Sequence, residues 1–191
     1  MRQNISNAAT RLFLERGFEQ VTVDEIAAAA DVGRMTVFNH FPRKEDMFFD
    51  RDEEARELLR QALAQRDPAV SPVETLRLLA HRLVAEGSPQ VSFSEASQGF
   101  VRTIQNSESL KARARAIRDE IALEMADALA LSMGQTAAGP LAHLTAGLLL
   151  AGWAVALTQA HLAYGKTRNA EAAKGLFLAL VDRASRGAEM L

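Results

Sequence analysis

The sequence predicts an all-α protein of about nine helices, in which a small three-helix head with a helix-turn-helix precedes a larger helical body. Three observations support this fold class. Apolar residues recur at helical spacing through most of the chain, no segment has the pattern of a strand, and helix-starting residues precede several of the periodic segments. We expect the head in residues 1–47 and the body in residues 48–191.

The first predicted helix has one apolar face and stops at Gly17, because a glycine can adopt the left-handed conformation that ends many helices. Phe18 and Val21 are expected to tuck beneath this helix. The apolar face consists of Ile5, Ala8, Ala9, Leu12 and Phe13.

Residues 22–44 have the pattern of two short helices joined by a turn. Thr22 and Glu25 have the spacing of a capping box, in which each side chain accepts a bond from the other residue's backbone N–H. The helical pattern breaks at Gly33, resumes, and stops before Pro42, because the residue before a proline disfavours helix. Two short helices joined by a tight turn form a helix-turn-helix, whose second helix enters the major groove of DNA.

Composition indicates a globular protein without a strongly basic character. The 191 residues are 48% hydrophobic and 24% charged, with a formal net charge of −2. Nucleic-acid-binding domains usually carry a basic patch. Here that patch is local, because residues 33–44 hold three basic residues, one histidine and no acid.

The chain has no cysteine, which excludes disulfides, thiolate nucleophiles and cysteine metal sites. This composition fits a reducing cytosol. The polar N-terminus also lacks the apolar run of a signal peptide. We therefore expect a cytoplasmic protein.

Six further helices are predicted after the head's first three. The first is expected to run unbroken from Lys44 to about Arg66, as a strut. Ser71 and Glu74 form a second capping-box pattern, with a proline at the first helical position. The others are a short helix holding Phe93, Phe100, Val101 and Ile104, one from 106–109 to Ser132, one from Pro140 to Gly165, and a last one capped by Asn169.

The segment between Asp127 and Lys166 has no charged residue, and its part 141–164 is long enough to span a bilayer. Two histidines, two threonines and a glutamine interrupt this part, and no basic cluster flanks it. We expect a buried helix of a soluble protein rather than a membrane span.

Small residues along this uncharged helix permit another helix to approach closely. With an apolar face of the last helix, they predict a two-fold, four-helix interface, because obligate interfaces resemble a core cut in half. The expected homodimer uses residues 140–165 and 169–187. The small residues are Ala142, Ala146, Gly147, Ala151, Gly152 and Ala154, and the apolar face is Leu176, Phe177, Leu180 and Val181.

Residues from about Ile5 to Asp50 resemble the DNA-binding region of the tetracycline-repressor (TetR-like) family, and the rest of the chain is similar in helix count and length only. The resemblance implies a dimeric repressor that binds a palindromic operator in double-stranded DNA and is released by a small-molecule effector bound to the body. It rests on Ala8-Ala9, Leu12-Phe13, Gly17-Phe18, Thr22-Val23, Ile26-Ala27, Ala30, Val32, 36–41 and Lys44-Glu45.

The chain departs from the family pattern at four positions. Gly33 replaces a frequent serine cap, and Met35 replaces a small residue, where it could touch a thymine methyl. Phe38 replaces a frequent tyrosine, which removes a phosphate contact. Arg43 replaces a capping serine and offers a possible phosphate contact instead.

Eight residues are the expected DNA contacts. Arg34 and Asn39 are the candidates for reading bases, because arginine suits guanine and asparagine suits adenine. Lys44 is expected to bind a phosphate at a helix N-terminus, and Thr22 either caps its helix only or also contacts a phosphate. The full set is Thr22, Arg34, Met35, Thr36, Asn39, His40, Arg43 and Lys44.

Signals for an effector site in the body are weaker, because aromatic and methionine residues at helical spacing usually belong to a core. No histidine follows a glutamate at the spacing of a helical metal site, and no paired-carboxylate or Ser/His/Asp constellation is present. We expect no catalytic residue, metal or cofactor. The candidate effector contacts are His81, Phe93, Phe100, Met125, Met133 and Trp153.

Three alternatives stay open at this stage. A ligand-independent or activating regulator would keep the DNA binding and have a packed body. An all-α enzyme or carrier would need converging polar groups in the body. A membrane-anchored regulator would use residues 141–164 as its anchor.

Overall fold

A computed structural model describes residues 1–190, which form ten α-helices and a 3-10 turn at Pro89–Val91, with no strand among them. This confirms the all-α class. Leu191, the last residue of the expected body, lies outside the described residues. The helices are α1 (Arg2–Arg16), α2 (Val23–Ala29), α3 (Arg34–His40), α4 (Lys44–Phe48), α5 (Asp52–Ala64), α6 (Pro72–Ala85), α7 (Glu95–Gln105), α8 (Glu108–Ser132), α9 (Pro140–Thr167) and α10 (Ala170–Ala188).

The chain forms two compact units, and the head unit contains Arg102–Ala116 in addition to Met1–Glu53. From the sequence, residues 102–116 are expected to belong to the body. Leu110 of α8 is fully buried in the head core, and Ile104 packs against that core. A three-helix head alone is small for an independent core, and these residues add apolar surface to it.

The head core is built around an aromatic cluster of Phe13, Phe18 and Phe48, whose ring centroids lie 5.0 to 6.2 Å apart. As expected, Phe18 and Val21 are buried beneath α1. Gly17 ends α1 with a positive φ of 84° and donates its N–H to the carbonyl of Phe13. Its ψ of 150° is extended, so the cap is not the left-handed helical one we expected.

The predicted unbroken helix from Lys44 to Arg66 is wrong. The structure has two helices, α4 and α5, separated by residues 49–51. Met47 of α4 is fully buried in the head core, whereas Leu63 of α5 is buried in the body core. Each helix therefore packs on its own core, and the helical conformation is interrupted between them.

Most predicted helix starts are confirmed, but the second capping box is only half formed. The side chains of Ser107 and Asn169 accept bonds from backbone N–H groups in the first turns of α8 and α10. Ser71 likewise accepts from the N–H of Glu74 at 3.0 Å. The carboxylate of Glu74 instead binds the guanidinium of Arg77 at 2.6 and 2.7 Å, because this stronger charged partner lies one turn away.

The body core lies between α6, α8, α9 and α10, and its fully buried members include Leu76, Leu129, Leu149 and Phe177. Helix α9 runs two residues past the expected end at Gly165, to Thr167. Several small residues of α9 serve this core rather than an outer interface. Ala142 and Ala146 are buried within the chain, as are Phe177 and Val181 of the apolar face that we assigned to the dimer.

Helices α9 and α10 pack tightly against each other at Gly152. A Cβ atom built on Gly152 would lie 2.3 Å from the Cβ of Ala184, well inside van der Waals contact. Only a glycine fits there at this helix separation. Part of the small-residue pattern is therefore explained by packing inside one chain.

The opposite side of α9 is apolar and exposed, and this differs from the buried helix that we expected. The helix is long and apolar enough to cross a membrane, with a mean hydropathy of 1.6 over an 18-residue window, of which 22% is buried. The exposed side forms an outer stripe, defined as Leu141, Leu144, Leu148, Val155 and Leu162. Four of these residues recur every seven positions, the repeat of a helix seam that faces another helix.

Candidate nucleic-acid interface

Helices α2 and α3 are joined by a tight turn that is held by backbone hydrogen bonds. The N–H of Val32 donates to the carbonyl of Ala27 at 3.0 Å, and Asp31 adopts a φ of 54°, which aspartate tolerates better than most residues. Gly33 is the N-cap of α3, in extended conformation and without a side-chain bond. The predicted helix-turn-helix is therefore present, including its glycine cap.

Helix α3 has a buried side and an exposed side. Val37 is fully buried in the head core, and Phe41, directly after the helix, is 1% exposed. Arg34, Met35 and Asn39 are exposed, and Met35 is 71% accessible. The side chains that we expect to meet base edges thus project from a helix anchored by its other face.

Arg34 contacts two other side chains on the exposed side of α3. Its Nη1 lies 3.0 and 2.8 Å from the two carboxylate oxygens of Asp24, near the start of α2. Its guanidinium carbon also lies 5.5 Å from the centroid of the Phe38 ring. Sequence reasoning missed Asp24, because the two residues belong to different helices and no periodicity links them.

Thr22 and Glu25 form the predicted capping box. The carboxylate of Glu25 accepts from the backbone N–H of Thr22 at 2.8 Å, and the Thr22 hydroxyl accepts from the N–H of Glu25 at 3.3 Å. The backbone N–H of Thr22, a bond from Arg16 and the Thr22 hydroxyl lower the pKa of Glu25 to about 2. Capping of Thr22 is confirmed, and a phosphate contact from its hydroxyl would compete with the bond it donates to Glu25.

Replacing Arg16 or Thr22 by alanine is expected to raise the pKa of Glu25 part of the way to its ordinary value of 4.5, because the backbone N–H of Thr22 remains as a donor. Since the folded-state pKa is depressed, Glu25 stabilises the fold above pH 4.5, and this contribution is lost as the pH falls toward 2. An NMR titration of the Glu25 carboxyl tests this. Arg11→Ala, on the same helix, should leave the titration unchanged, and an unchanged pKa in both test variants would contradict our assignment.

Arg43 is the N-cap of α4, and its exposed guanidinium makes no hydrogen bond among residues 1–190. An arginine side chain has no acceptor, so it cannot cap the helix as a serine does. Asp46 satisfies the first turn from the other side, because its carboxylate accepts from the Arg43 N–H at 3.1 Å and from Arg113 Nε at 2.7 Å. Asp46 and Arg113 of α8 were not predicted, and their largely buried pair links α4 to α8 within the head unit.

Lys44 is the first residue of α4, as expected, and its contact with a phosphate stays a prediction. Its ammonium lies over the aromatic cluster, 4.2 Å from the ring centroid of Phe18 and 5.8 Å from that of Phe13. Burial lowers the pKa of Lys44, although Glu19 and two other carboxylates act in the opposite direction. Helix α4 is also only five residues long, which gives it a weak dipole.

Thr36 and His40 are half-buried at the edges of the exposed side of α3. His40 lines an open cleft of about 180 Å³ in the head unit, together with Arg2, Asp46 and Arg113. Six of the eight predicted DNA contacts therefore lie in one continuous segment from Arg34 to Arg43. The hydroxyl of Thr22 donates to Glu25, and the ammonium of Lys44 lies over the ring of Phe18.

The six candidate effector residues do not meet in one place. Phe93 and Trp153 pack on Phe177, with ring centroids 6.3 and 6.0 Å apart, and these two share a cluster. The other four candidates lie outside this cluster. His81 binds Asp182 at 2.8 Å, Met125 lines a cavity of about 10 Å³ beside Arg56, and Phe100 and Met133 are 42% and 51% exposed.

His161 is a neighbour of this cluster that our list of candidates omitted. Its ring meets Phe93 edge-on at 5.0 Å, and Gln98 donates to its carbonyl at 2.6 Å. Burial lowers the pKa of His161. Across residues 1–190 no three His, Asp or Glu side chains are grouped so as to hold a metal ion.

A family model described as "Bacterial regulatory proteins, tetR family" matches residues 5–50, which contain the helix-turn-helix. The crystal structure of FadR from Thermus thermophilus, a TetR family transcriptional repressor in complex with lauroyl-CoA, is similar over 98% of this chain and 93% of that chain. Its TM-score is 0.55 and its sequence identity 25%. Residues 5–50 thus match the DNA-binding region of the TetR family, and the described residues share the fold of a TetR-family repressor. The matching family model describes regulatory proteins, not enzymes.

Two curated relatives match the N-terminal part of the chain. The uncharacterized HTH-type transcriptional regulator YhgD of Bacillus subtilis is 33% identical over 78 residues, or 41% of this chain. The HTH-type transcriptional repressor DhaR of a Mycobacterium species is 42% identical over 45 residues, or 24% of this chain. The chain spans 39% of the length of the first relative and 23% of the second.

Proposed function

We propose that this chain is a dimeric, DNA-binding transcriptional repressor of the TetR family that a small-molecule effector releases from its operator. The observation that carries the proposal is the exposed side of α3. Arg34, Met35 and Asn39 project from a helix whose other side, at Val37, is fully buried. This is the arrangement in which a recognition helix presents side chains to the major groove.

Bases would be read by α3, and the protein would be positioned on the duplex by the last residue of α3 and the N-cap of α4. Arg34 suits guanine, Asn39 suits adenine, and Met35 would contact a thymine methyl. His40 and Arg43 are the better phosphate contacts, since Arg43 makes no side-chain bond among the described residues, whereas Lys44 packs over aromatic rings. Phosphate contacts position a protein on the duplex, and base contacts specify the sequence.

The outer stripe of α9 supports dimerisation through α9 and α10. Monomeric soluble proteins rarely expose large contiguous apolar patches, and Leu176 of α10 adds to the exposed apolar surface. A second copy of the chain would cover this surface without a membrane, in the cytoplasm. Two heads would then bind half-sites about one turn of DNA apart, or a multiple of that distance.

The effector would bind the body and change the spacing of the two heads. It can shift this equilibrium only by its differential affinity for the two states. The lauroyl-CoA complex of the similar FadR supports an effector of some kind. The cluster of Phe93, Trp153 and Phe177, with His161 at its edge, is the most suitable candidate, because it combines aromatic surface with a half-buried polar ring.

Substitutions on α3 and at Arg43 are expected to act differently on DNA binding. Arg34→Ala or Asn39→Ala should lose discrimination at one or two base pairs, by about 1–3 kcal/mol each. Arg43→Ala should weaken all duplexes about equally and reduce the salt dependence by about one counterion. The measurement is fluorescence anisotropy of the full chain with a duplex selected from random DNA and with single-base variants of it, at several salt concentrations.

Arg118→Ala removes an exposed arginine from the body and serves as the control, with no change in binding expected. Selection of no preferred sequence by the unmodified protein would contradict DNA recognition altogether. An Arg43→Ala loss confined to one base pair would contradict only the assigned role of Arg43.

A ligand-independent regulator is the second candidate, and one observation favours it. A cavity of the body between α5 and α8, lined by Arg56 and Met125, measures about 10 Å³, room for a single water molecule and too small for an effector. Release of the selected duplex by lauroyl-CoA or by any screened compound would contradict this candidate. Binding that no compound changes would favour it.

A further inference from the structure

We infer that Asp24 is a positioning residue that determines specificity, because it holds the Arg34 guanidinium in place for a base and reduces its attraction to phosphates. The inference rests on the proposed binding of DNA by α3. The two residues sit on different helices of the helix-turn-helix, Asp24 near the start of α2 and Arg34 at the start of α3.

The guanidinium of Arg34 is held on two sides. Its Nη1 lies 3.0 and 2.8 Å from the two carboxylate oxygens of Asp24, and the ring of Phe38 lies 5.5 Å from its central carbon. The side chains of Arg34 and Asp24 are 59% and 64% exposed, so the pair lies at the surface that α3 offers to DNA. An otherwise flexible side chain therefore has a defined orientation there.

The ion pair leaves free the edge of Arg34 that a base needs. A guanidinium has five N–H donors in a planar fork, and Asp24 engages only one nitrogen. The Nε and Nη2 atoms, which form the side-on edge, have no hydrogen-bond partner among residues 1–190. Two parallel donors on one edge match the O6 and N7 acceptors of guanine.

The same carboxylate opposes unspecific binding. A phosphate would have to compete with Asp24 for Arg34 and would approach a negative charge, whereas guanine O6 and N7 carry no full charge. Sequence-independent binding comes almost entirely from phosphate contacts. Residues 1–50 also hold eight acids and six bases, so the head as a whole offers little unspecific attraction to DNA.

If Asp24 had a purely local role, its substitution would have a different effect. Acids in the first turn of a helix stabilise it through the helix dipole, and Asp24 occupies the first turn of α2. In that role, Asp24→Asn would lower thermal stability and leave the preference among DNA sequences unchanged. The ratio of specific to unspecific affinity therefore separates the two roles.

The test measures binding of full-length Asp24→Asn to the duplex selected by the unmodified protein and to a scrambled duplex of equal length, at several salt concentrations. We expect affinity for the scrambled duplex to rise about three- to tenfold, with a salt dependence steeper by about one counterion per subunit. Discrimination at the base pair that Arg34→Ala identifies should fall about tenfold.

Asp31→Asn is the matched control. Asp31 lies in the turn of the same helix-turn-helix, is exposed, and makes no side-chain bond among the described residues. Its φ of 54° is tolerated by asparagine. This variant removes the same charge, so it should strengthen binding to both duplexes by a similar factor and keep their ratio.

Two further variants complete the design. In an Arg34→Ala background, Asp24→Asn should cause no further loss of discrimination, because the coupled partner is absent. Asp24→Glu keeps a carboxylate and should retain most of the discrimination, which provides a readout if Asp24→Asn folds poorly.

The outcomes separate the inference from the proposed function. If Arg34→Ala loses discrimination at a base pair and Asp24→Asn keeps it, the inference is wrong and the proposed function stands. If the unmodified protein prefers no sequence, both are wrong. If Asp31→Asn lowers the ratio as much as Asp24→Asn, the effect is one of charge alone and the positioning role is overturned.

Discussion

Leu148→Glu is expected to dissociate the dimer into monomers and to remove tight binding to a palindromic operator. Leu148 lies in the middle of the outer stripe of α9, with Leu141 and Val155 seven residues away on either side. It is 43% exposed in the single chain, so its remaining surface is available to a partner. In a two-fold interface one substitution acts twice, because each copy contributes the same residue.

The expected magnitude is large. Each leucine loses part of a burial worth about 1.5–3 kcal/mol, and two carboxylates would be moved out of water without partners. Together these effects should shift the dimer equilibrium by about 4 kcal/mol or more, roughly a thousandfold in dissociation constant. Sedimentation equilibrium over a range of protein concentrations measures this shift directly.

Leu123→Glu is the matched control for this experiment. Leu123 is 60% exposed on α8, outside the outer stripe, and the same chemical change there should leave the dimer intact. Operator binding gives a second readout, since monomers lose the advantage of two linked heads but keep affinity for a single half-site. A Leu148→Glu protein that remains dimeric would place the interface elsewhere. Unmodified protein found in the membrane fraction would instead favour α9 as an anchor.

Gly152→Ala is expected to destabilise the body by about 1–3 kcal/mol, the usual effect of overpacking. The added methyl would lie 2.3 Å from the Cβ of Ala184, so α9 and α10 would have to move apart along their contact. This strain should outweigh the gain in helix propensity on replacing glycine by alanine, about 1 kcal/mol. Urea unfolding at one fixed protein concentration measures the change through the midpoint and slope.

Two variants sharpen this prediction. Gly99→Ala lies in α7, outside the predicted dimer interface, where a methyl would meet no atom within 4 Å, and it should be neutral or stabilising. Combining Gly152→Ala with Ala184→Gly moves the methyl from one helix to the other and should restore much of the stability. If Gly152→Ala alone stabilises the protein, the two helices are less tightly packed than the structure indicates.

The helix-turn-helix was predictable almost residue by residue. The capping box at Thr22, the break at Gly33 and the stop before Pro42 all depend on neighbours within four residues, and such signals are present in any short segment of sequence. The surroundings of Lys44 were not predictable in this way, and its role as a phosphate contact stays a prediction. Its ammonium lies over Phe18, which is 26 positions away, so no local pattern could have indicated this contact.

The apolar helix α9 shows a second limit of prediction from the sequence. Its lack of charge indicated that both sides contact something apolar, but it did not indicate which side meets this chain. The structure assigns Ala146 and Leu149 to the body core and leaves Leu148 exposed between them. Ala142 and Ala146, two of the small residues expected at a dimer interface, pack inside the chain, whereas large residues such as Leu148 remain exposed.

The sequence by itself determined the all-α class, most helix starts, the helix-turn-helix and the resemblance to the TetR family. These features follow from backbone capping and from apolar periodicity, which act over a few residues. Only the tertiary structure decided that α4 and α5 separate, that Leu110 completes the head core, that Gly152 allows α9 and α10 to touch, and that Asp24 holds Arg34. Each of these depends on residues that are distant in the chain, and their contacts arise when packing brings different helices together.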